Sequence, residues 1–202
     1  DAMLGLGTTT VEIKTGYGLS LADELRLLEV IAHLAQSHAA SVAPTLLAAH
    51  AVPPEFAGDP NGYVDMVVEA LIPAAAAWYA ASHFAAAAPA LNCDAFCEVG
   101  AFDLAQTRAV LEAGQACGMR AKLHIDQFHA LGGASLAVEL GALSADHLDV
   151  TPHAEVVKLA VSDTVAVLLP AVNFHLGASH FADAQGWIAA GAAVALATDF
   201  NP

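Results

Sequence analysis

The sequence predicts an α/β fold, specifically a TIM-type (β/α)8 barrel in which seven of the eight strand–helix units are present. Short, nearly continuous apolar runs alternate with longer helical segments, which is typical of parallel strands buried on both faces. A polar or ionisable residue also recurs near the carboxyl end of each run, where barrel enzymes place their chemistry. A doubly wound sheet is the alternative architecture. However, TGYGL after the first strand is not a GxGxxG loop, so the barrel is favoured.

The seven predicted strands are β-rich or almost wholly apolar. They are Thr9–Lys14, Val42–His50, Ala95–Val99, Arg120–Ile125, Ala145–Leu148, Thr164–Leu169 and Ala193–Thr198. Seven units leave a gap where an eighth strand would close the ring. We therefore expect the chain to be part of a larger barrel.

Five helices are predicted; the first begins at Ser20 and carries one apolar face, and the second begins at the capping residue Asp103 and stops at Gly118. They are Ser20–Ser37, Asp103–Gly118, Ala134–Leu140, Ala154–Ser162 and His180–Ala190. The apolar stretch Val64–Leu91 is long enough to span a bilayer, but acidic residues and prolines interrupt it. It predicts one or two helices of a soluble barrel, with a break near Pro73 or Pro89.

The acidic composition narrows the possible partners. Twenty-one acidic residues against six basic ones give a formal charge of −15, which argues against nucleic acid and anionic membranes as partners. The expected partner is a small-molecule substrate. Three cysteines without a CxxC pair predict reduced thiols and a cytoplasmic location.

The residues at the predicted strand ends have the composition of an active site. They are Tyr17, His50, Glu98, His124, His147, Asn173 and Asp199. Each histidine alone could be a hydrogen-bonded structural residue, and Asp199 could cap a helix. Together, His124, His147 and Asp199 offer imidazole and carboxylate ligands suited to zinc or ferrous iron, with room for a water that the metal would activate.

Seven ordered motifs resemble the imidazolonepropionase family of the amidohydrolase superfamily. They are VEIKTGYGL (11–19), AAHAVPPEF (48–56), DAFCEVGAF (94–102), KLHIDQFHALGGASLA (122–137), SADHLD (144–149), AVLLPAVNFHLG (166–177) and ALATDFNP (195–202). The resemblance implies that residues 1–202 form barrel strands two to eight. The first barrel strand, with its HxH metal pair, and the small β-sandwich domain of relatives would then lie outside this chain.

The resemblance also implies roles for individual residues. His124 and Asp199 would bind one divalent metal ion, Zn or Fe, and His147 would act as proton shuttle or electrophile. Tyr17, His50 and Gln127 would contact the substrate, and Gln127 would belong with His147 and Asp199 to the catalytic residues. Gln127 stands where some relatives have a glutamate, and an amide cannot shuttle protons, so we expect Asp199 and His147 to carry the proton transfer.

The implied reaction is hydrolysis of the cyclic amide of 4-imidazolone-5-propanoate to N-formimidoyl-L-glutamate, in histidine degradation. Lys14 is the only cation near the predicted rim, and we expect the main anchor of the propanoate to lie outside this chain. Relatives suggest a homodimer. The alternatives are another amidohydrolase (a ring deaminase or cyclic amidase), a catalytically silent fragment or binding protein, and a metal-free barrel.

Overall fold

A computed structural model describes residues 1–87 and 90–200. Seven parallel strands form one sheet in sequential order, and this arrangement matches an incomplete TIM-type barrel. The strands are β1 Thr10–Lys14, β2 Ser41–Ala49, β3 Asn92–Cys97, β4 Arg120–Ile125, β5 Ser144–His147, β6 Val165–Leu168 and β7 Val194–Leu196. All seven predicted strands are confirmed.

Strand β3 begins three residues earlier than predicted. Asn92 and Asp94 interrupt the apolar run, and polar residues at the start of a strand predict a loop rather than a strand. Both side chains are buried, and the Asn92 amide donates a hydrogen bond to the Thr45 hydroxyl at 3.1 Å. The sheet therefore buries polar residues on one of its faces.

The sheet curls strongly. The Lys14 Nζ at the end of β1 lies 3.2 Å from Asp146 Oδ2 in β5. Four strand spacings in a flat sheet would separate these strands by about 19 Å, far beyond the reach of a lysine. The two side chains meet only because the sheet bends around them, so they lie on its concave face, inside the barrel.

One short helix precedes the first strand, and the other helices connect successive strands. They are α1 Ala2–Gly5, α2 Leu21–Ser37, α3 Pro60–Met66, α4 Ile72–Ala81, α5 Phe84–Ala87, α6 Leu104–Ala116, α7 Gly133–Glu139, α8 His153–Ala160, α9 Pro170–His175 and α10 Ala184–Ala189. The predicted caps are confirmed. Ser20 accepts from the Asp23 N–H, and Asp103 forms a reciprocal capping box with Gln106.

The 170–190 region departs from the prediction. Helix α9, which begins at Pro170, was not predicted, and α10 begins at Ala184 rather than at His180. Proline at the first helical position loses no hydrogen bond, so Pro170 starts a helix here. Asn173 consequently lies buried within α9 rather than on an open rim.

The long apolar segment forms a continuous helical stretch, Pro60–Ala81, with a π-helical segment at Val67–Leu71. The predicted break at Pro73 is absent. The wider π turns just before Pro73 accommodate a residue that has no N–H and a bulky ring. Pro89, the other predicted break, lies outside the described residues.

By length and composition, Pro60–Ala81 would also suffice to cross a membrane. In the structure, one side of it packs against β2, α2 and α6, and Tyr63, Val67, Leu71, Ile72 and Ala75 are buried there. The stretch therefore occupies the position of a barrel helix.

Candidate active site

A row of rings crosses the carboxyl ends of β1 to β5. The Tyr17 ring lies edge-on to His50, with centroids 5.0 Å apart, and His50 lies 6.1 Å from Phe96. Phe96 meets His124 edge-on at 6.4 Å, and His124 lies 5.3 Å from His147. Four residues predicted for the site, two as substrate contacts and two as metal-side groups, thus share one surface.

Phe96 is the member of this row that the sequence prediction missed. It pairs with His124 in the β3–β4 register and lies two residues after Asp94, so its side chain is on the same, concave face. This period-2 alternation is the signal that could have found it. Phe96 links the Tyr17–His50 pair to the two metal-side histidines.

His124 is held from below by a carboxylate. Its Nδ1 lies 3.1 Å from the fully buried carboxylate of Asp94, which leaves Nε2 without a hydrogen-bond partner among the described residues. The nearest acidic atom to Nε2 is Asp146 Oδ2, at 4.0 Å. A histidine that donates one ring N–H to a carboxylate and presents the other nitrogen is the usual arrangement of a metal-binding imidazole.

The ligand atoms of Asp94, His124 and Asp146 lie within 4.8 Å of one another, a spacing that could hold a metal ion. However, the Lys14 ammonium already lies 2.7 Å from Asp94 and 3.2 Å from Asp146, and it also contacts Glu12 at 3.0 Å. Lys14 is therefore the cation that neutralises these carboxylates. Since it is fully engaged with acids, it does not provide the anion anchor considered from the sequence.

The charges of this interior group support one another. Burial opposes ionisation of Asp94, but His124 and Lys14 outweigh it and hold the pKa of Asp94 well below its usual range. Burial likewise lowers the pKa of Lys14, but Asp94, Asp146 and Glu12 raise it overall. Lys122 extends the network by donating to Glu12 at 2.8 Å.

His147 reaches the site through an unusual backbone conformation. Alternation along β5 places Ser144 and Asp146 on one face and would turn His147 to the other. A φ of 80° at His147, followed by 64° at Leu148, breaks that alternation. Burial, together with neighbouring His124, lowers the pKa of His147 to about 3, so its ring is neutral at neutral pH.

The buried neutral His147 predicts a loss of stability in mild acid. The unfolded chain binds a proton at this residue below about pH 6.5, whereas the folded chain does not until about pH 3, so stability falls as the pH falls through that window. Between about pH 7 and pH 5, the free energy of unfolding should fall by about 2 kcal/mol less in His147→Gln than in the parent. Urea unfolding at a series of pH values measures this free energy. His153→Gln, at an exposed histidine, is the control and should follow the parent; parallel curves for all three proteins would contradict the prediction.

Two buried glutamates hold the loops that follow β1 and β4 by accepting hydrogen bonds from their backbone N–H groups. The Glu24 carboxylate accepts from the N–H groups of Gly16, Gly18 and Leu19, which flank Tyr17. Glu24 belongs to the first turn of α2, and its side chain is completely buried where it holds this loop.

Glu98 braces the loop that carries Gln127. Its carboxylate accepts from the N–H groups of Phe128 and His129 and from His129 Nδ1, at 2.8–3.2 Å. Burial raises the pKa of Glu98, but these donors lower it overall, so the brace is an ionised carboxylate. Gln127 itself is half-buried.

Asp199 lies three residues beyond β7, half-buried, with a left-handed φ of 47°. Within the described residues it makes no ion pair with His124 or His147, so its role as a metal ligand remains a prediction. Asp126, directly after β4, also has positive φ, at 54°. Non-glycine residues in this conformation thus lie at or just beyond the ends of β4, β5 and β7, and they include two of the predicted site residues, His147 and Asp199.

Comparison with known sequences identifies relatives along the whole chain. An imidazolonepropionase from Chloroflexus aggregans is 56% identical over 200 residues, which are 99% of this chain and 47% of the relative. Those from Herpetosiphon aurantiacus and Alkaliphilus metalliredigens are 50% and 42% identical over the full chain, covering 47% and 46% of their own lengths. No protein-family model matches. The chain spans about half the length of these curated relatives.

Comparison with solved structures identifies the same fold in three proteins, two of which have zinc bound. A triazine hydrolase variant superposes with a TM-score of 0.69 at 16% identity, over 98% of this chain and 46% of that one. A zinc-bound adenosine deaminase from Xanthomonas campestris gives 0.64 at 18% identity, over 98% and 43%. An atrazine chlorohydrolase from Arthrobacter aurescens complexed with zinc gives 0.62 at 14%, over 98% and 46%.

Proposed function

We infer that this chain, a homologue of the imidazolonepropionases along its whole length, carries one wall of the active site of a metal-dependent hydrolase that opens the ring of 4-imidazolone-5-propanoate. The observation that carries the proposal is the row of rings from Tyr17 to His147 at the carboxyl ends of the strands. A planar substrate ring could stack on the rings of this row and form hydrogen bonds with their nitrogen atoms.

The residues at one end of the row fit a divalent metal ion. Asp94 fixes Nδ1 of His124, so Nε2 is available to bind a metal ion. Asp199 would supply a carboxylate ligand. Zinc or ferrous iron suits both residue types. When bound, the ion would act as a Lewis acid and lower the pKa of a water molecule at the site.

Residues at the other end of the row would hold the substrate. The Nδ1–H of His50 donates to the Gly16 carbonyl at 3.0 Å, which fixes the ring and leaves Nε2 for a ligand. Tyr17 packs against that ring with its side chain largely exposed, and Glu98 holds the backbone next to Gln127. We propose that Tyr17, His50 and Gln127 orient the imidazolone ring by hydrogen bonds and stacking.

Proton transfer falls to His147 and Asp199 in this proposal. Gln127 has an amide, which can donate and accept hydrogen bonds but cannot exchange a proton in the ring-opening step. The neutral ring of His147 can accept a proton or polarise a carbonyl through an N–H, and the Asp199 carboxylate can take a proton from water.

Ring hydrolysis, measured on a form of the protein that includes the first barrel strand and supplied with Zn²⁺ or Fe²⁺, tests the function, because residues 1–202 alone are expected to be weak or inactive. We expect loss of the imidazolone absorbance and formation of N-formimidoyl-glutamate, identified by mass spectrometry. Asp199→Asn should lower turnover by about 10²–10⁴-fold, because an amide cannot take the proton. Asp163→Asn, at an exposed aspartate, should keep full activity. Turnover of an aminated ring such as adenosine, with none of the imidazolone, would favour a ring deaminase instead.

A further inference from the structure

Two buried polar atoms face each other behind the active-site row. His147 Nδ1 and Asp149 Oδ2 lie 4.0 Å apart, with side chains that are 3% and 4% exposed. Among the described residues, neither atom has a hydrogen-bond partner. A buried polar atom without a partner has lost its hydrogen bonds to water and gained none in return, so a pair that faces one another calls for an explanation.

The other oxygen of Asp149 is fully engaged. Oδ1 accepts from the Asn173 amide at 2.5 Å and from the Ala182 backbone N–H at 3.1 Å. Helix α9 and the segment before α10 thereby fix the plane of the carboxylate. Oδ2 is then held towards His147, on the same side of the ring as Nδ1.

We propose that Asp149 is a positioning residue that sets the tautomer of His147. The Nδ1–H of His147 donates to Asp149 Oδ2, directly after a side-chain shift of about 1 Å or through one bridging water, because 4.0 Å exceeds a direct hydrogen bond. The proton then resides on Nδ1, and Nε2 keeps its lone pair for the ring row. This inference deepens the proposed function, since it specifies which nitrogen of His147 handles the proton.

The tautomer matters because the two nitrogens have opposite abilities. With Nδ1 protonated, Nε2 can accept a proton from water or substrate; with Nε2 protonated, it can only donate. His147 has no other hydrogen-bond partner among the described residues that could make this choice. Asp149 is therefore the group on which the acceptor role of His147 depends.

Asp149→Asn provides a sharp test because its orientation is forced. Both donors at the Oδ1 position, the Asn173 amide and the Ala182 N–H, require an oxygen there. The new NH₂ must therefore occupy the Oδ2 position and donate towards His147 Nδ1. An imidazole facing that donor has to accept at Nδ1, so its proton moves to Nε2.

Long-range ¹H–¹⁵N NMR of the chain, recorded without metal or substrate, reads the tautomer of His147 directly. We expect an amine-type shift at Nδ1 and an imine-type shift at Nε2 in the parent, and the reverse in Asp149→Asn. Asp149→Ala removes both oxygens and should give averaged shifts from two tautomers. Asp163→Asn is the matched control and should reproduce the parent.

An Nε2-protonated ring in the parent, or the same tautomer in the parent and in both Asp149 variants, would overturn the proposal. Because the spectra require neither turnover nor metal, this outcome is separate from failure of the hydrolase assignment. A purely structural role for Asp149 would change the stability of the variants but would not exchange the two nitrogen shifts.

Discussion

Replacing Lys14 by methionine is expected to destabilise the chain by about 3–5 kcal/mol. The substitution keeps an unbranched side chain of similar length but leaves the buried carboxylates of Asp94 and Asp146 without their shared cation. Removing one partner of a buried ion pair costs this much because the remaining charge stays in a poorly solvated place. Urea unfolding at pH 7 measures the change in the free energy of unfolding.

Two further variants separate the charge effect from packing. Adding Asp146→Asn to the Lys14 variant removes one of the uncompensated charges and should restore part of the loss. Lys158→Met, at an exposed lysine paired with Glu155, should cost less than about 1 kcal/mol. If Lys14→Met unfolds within 1 kcal/mol of the parent, Lys14 does not hold the interior network together.

His124→Gln is expected to lower the affinity for zinc by more than about 100-fold. Loss of a residue that only supports a ligand typically costs 10–100-fold, and loss of the ligand itself costs more. Competition against a chromophoric chelator measures the affinity. Asp94→Asn, which weakens the support of His124 Nδ1, should give the smaller effect of about 10–100-fold.

His175→Gln, at an exposed histidine, provides the control and should bind zinc like the parent. The order of the two losses in zinc affinity shows which residue binds the ion directly. A His124 variant that binds as tightly as the control would remove His124 from the metal site, whereas an Asp94 variant weaker than the His124 variant would place the ion on the carboxylates beneath it.

Local sequence patterns were sufficient to predict the repeating architecture. Apolar runs located all seven strands, and capping residues such as Ser20 and Asp103 located helix starts, because these signals depend on neighbours in sequence. The recurrence of polar residues at strand ends placed Tyr17, His50, His124 and His147 on one surface, where the structure has them.

What the sequence did not predict depends on contacts between distant residues. The acids Glu24 and Asp94 are buried, although acidic residues are usually exposed, because each meets donors from another segment. The role of Lys14 could not be predicted from its sequence neighbours either, since its partners lie 80 and 132 residues away and meet it only when the sheet curls. Asp149 gains its fixed orientation from Ala182 in the same way.

The positive φ angles at Asp126, His147, Leu148 and Asp199 have a consequence for protein engineering. Such backbone costs about 1–2 kcal/mol per residue, and aspartate and histidine tolerate it better than leucine does. An engineer who replaces strained backbone positions to raise the melting temperature would choose these four residues first. Relaxing them would stabilise the scaffold but turn the side chain of His147 away from His124, so a higher melting temperature at this rim would come with a broken row of rings.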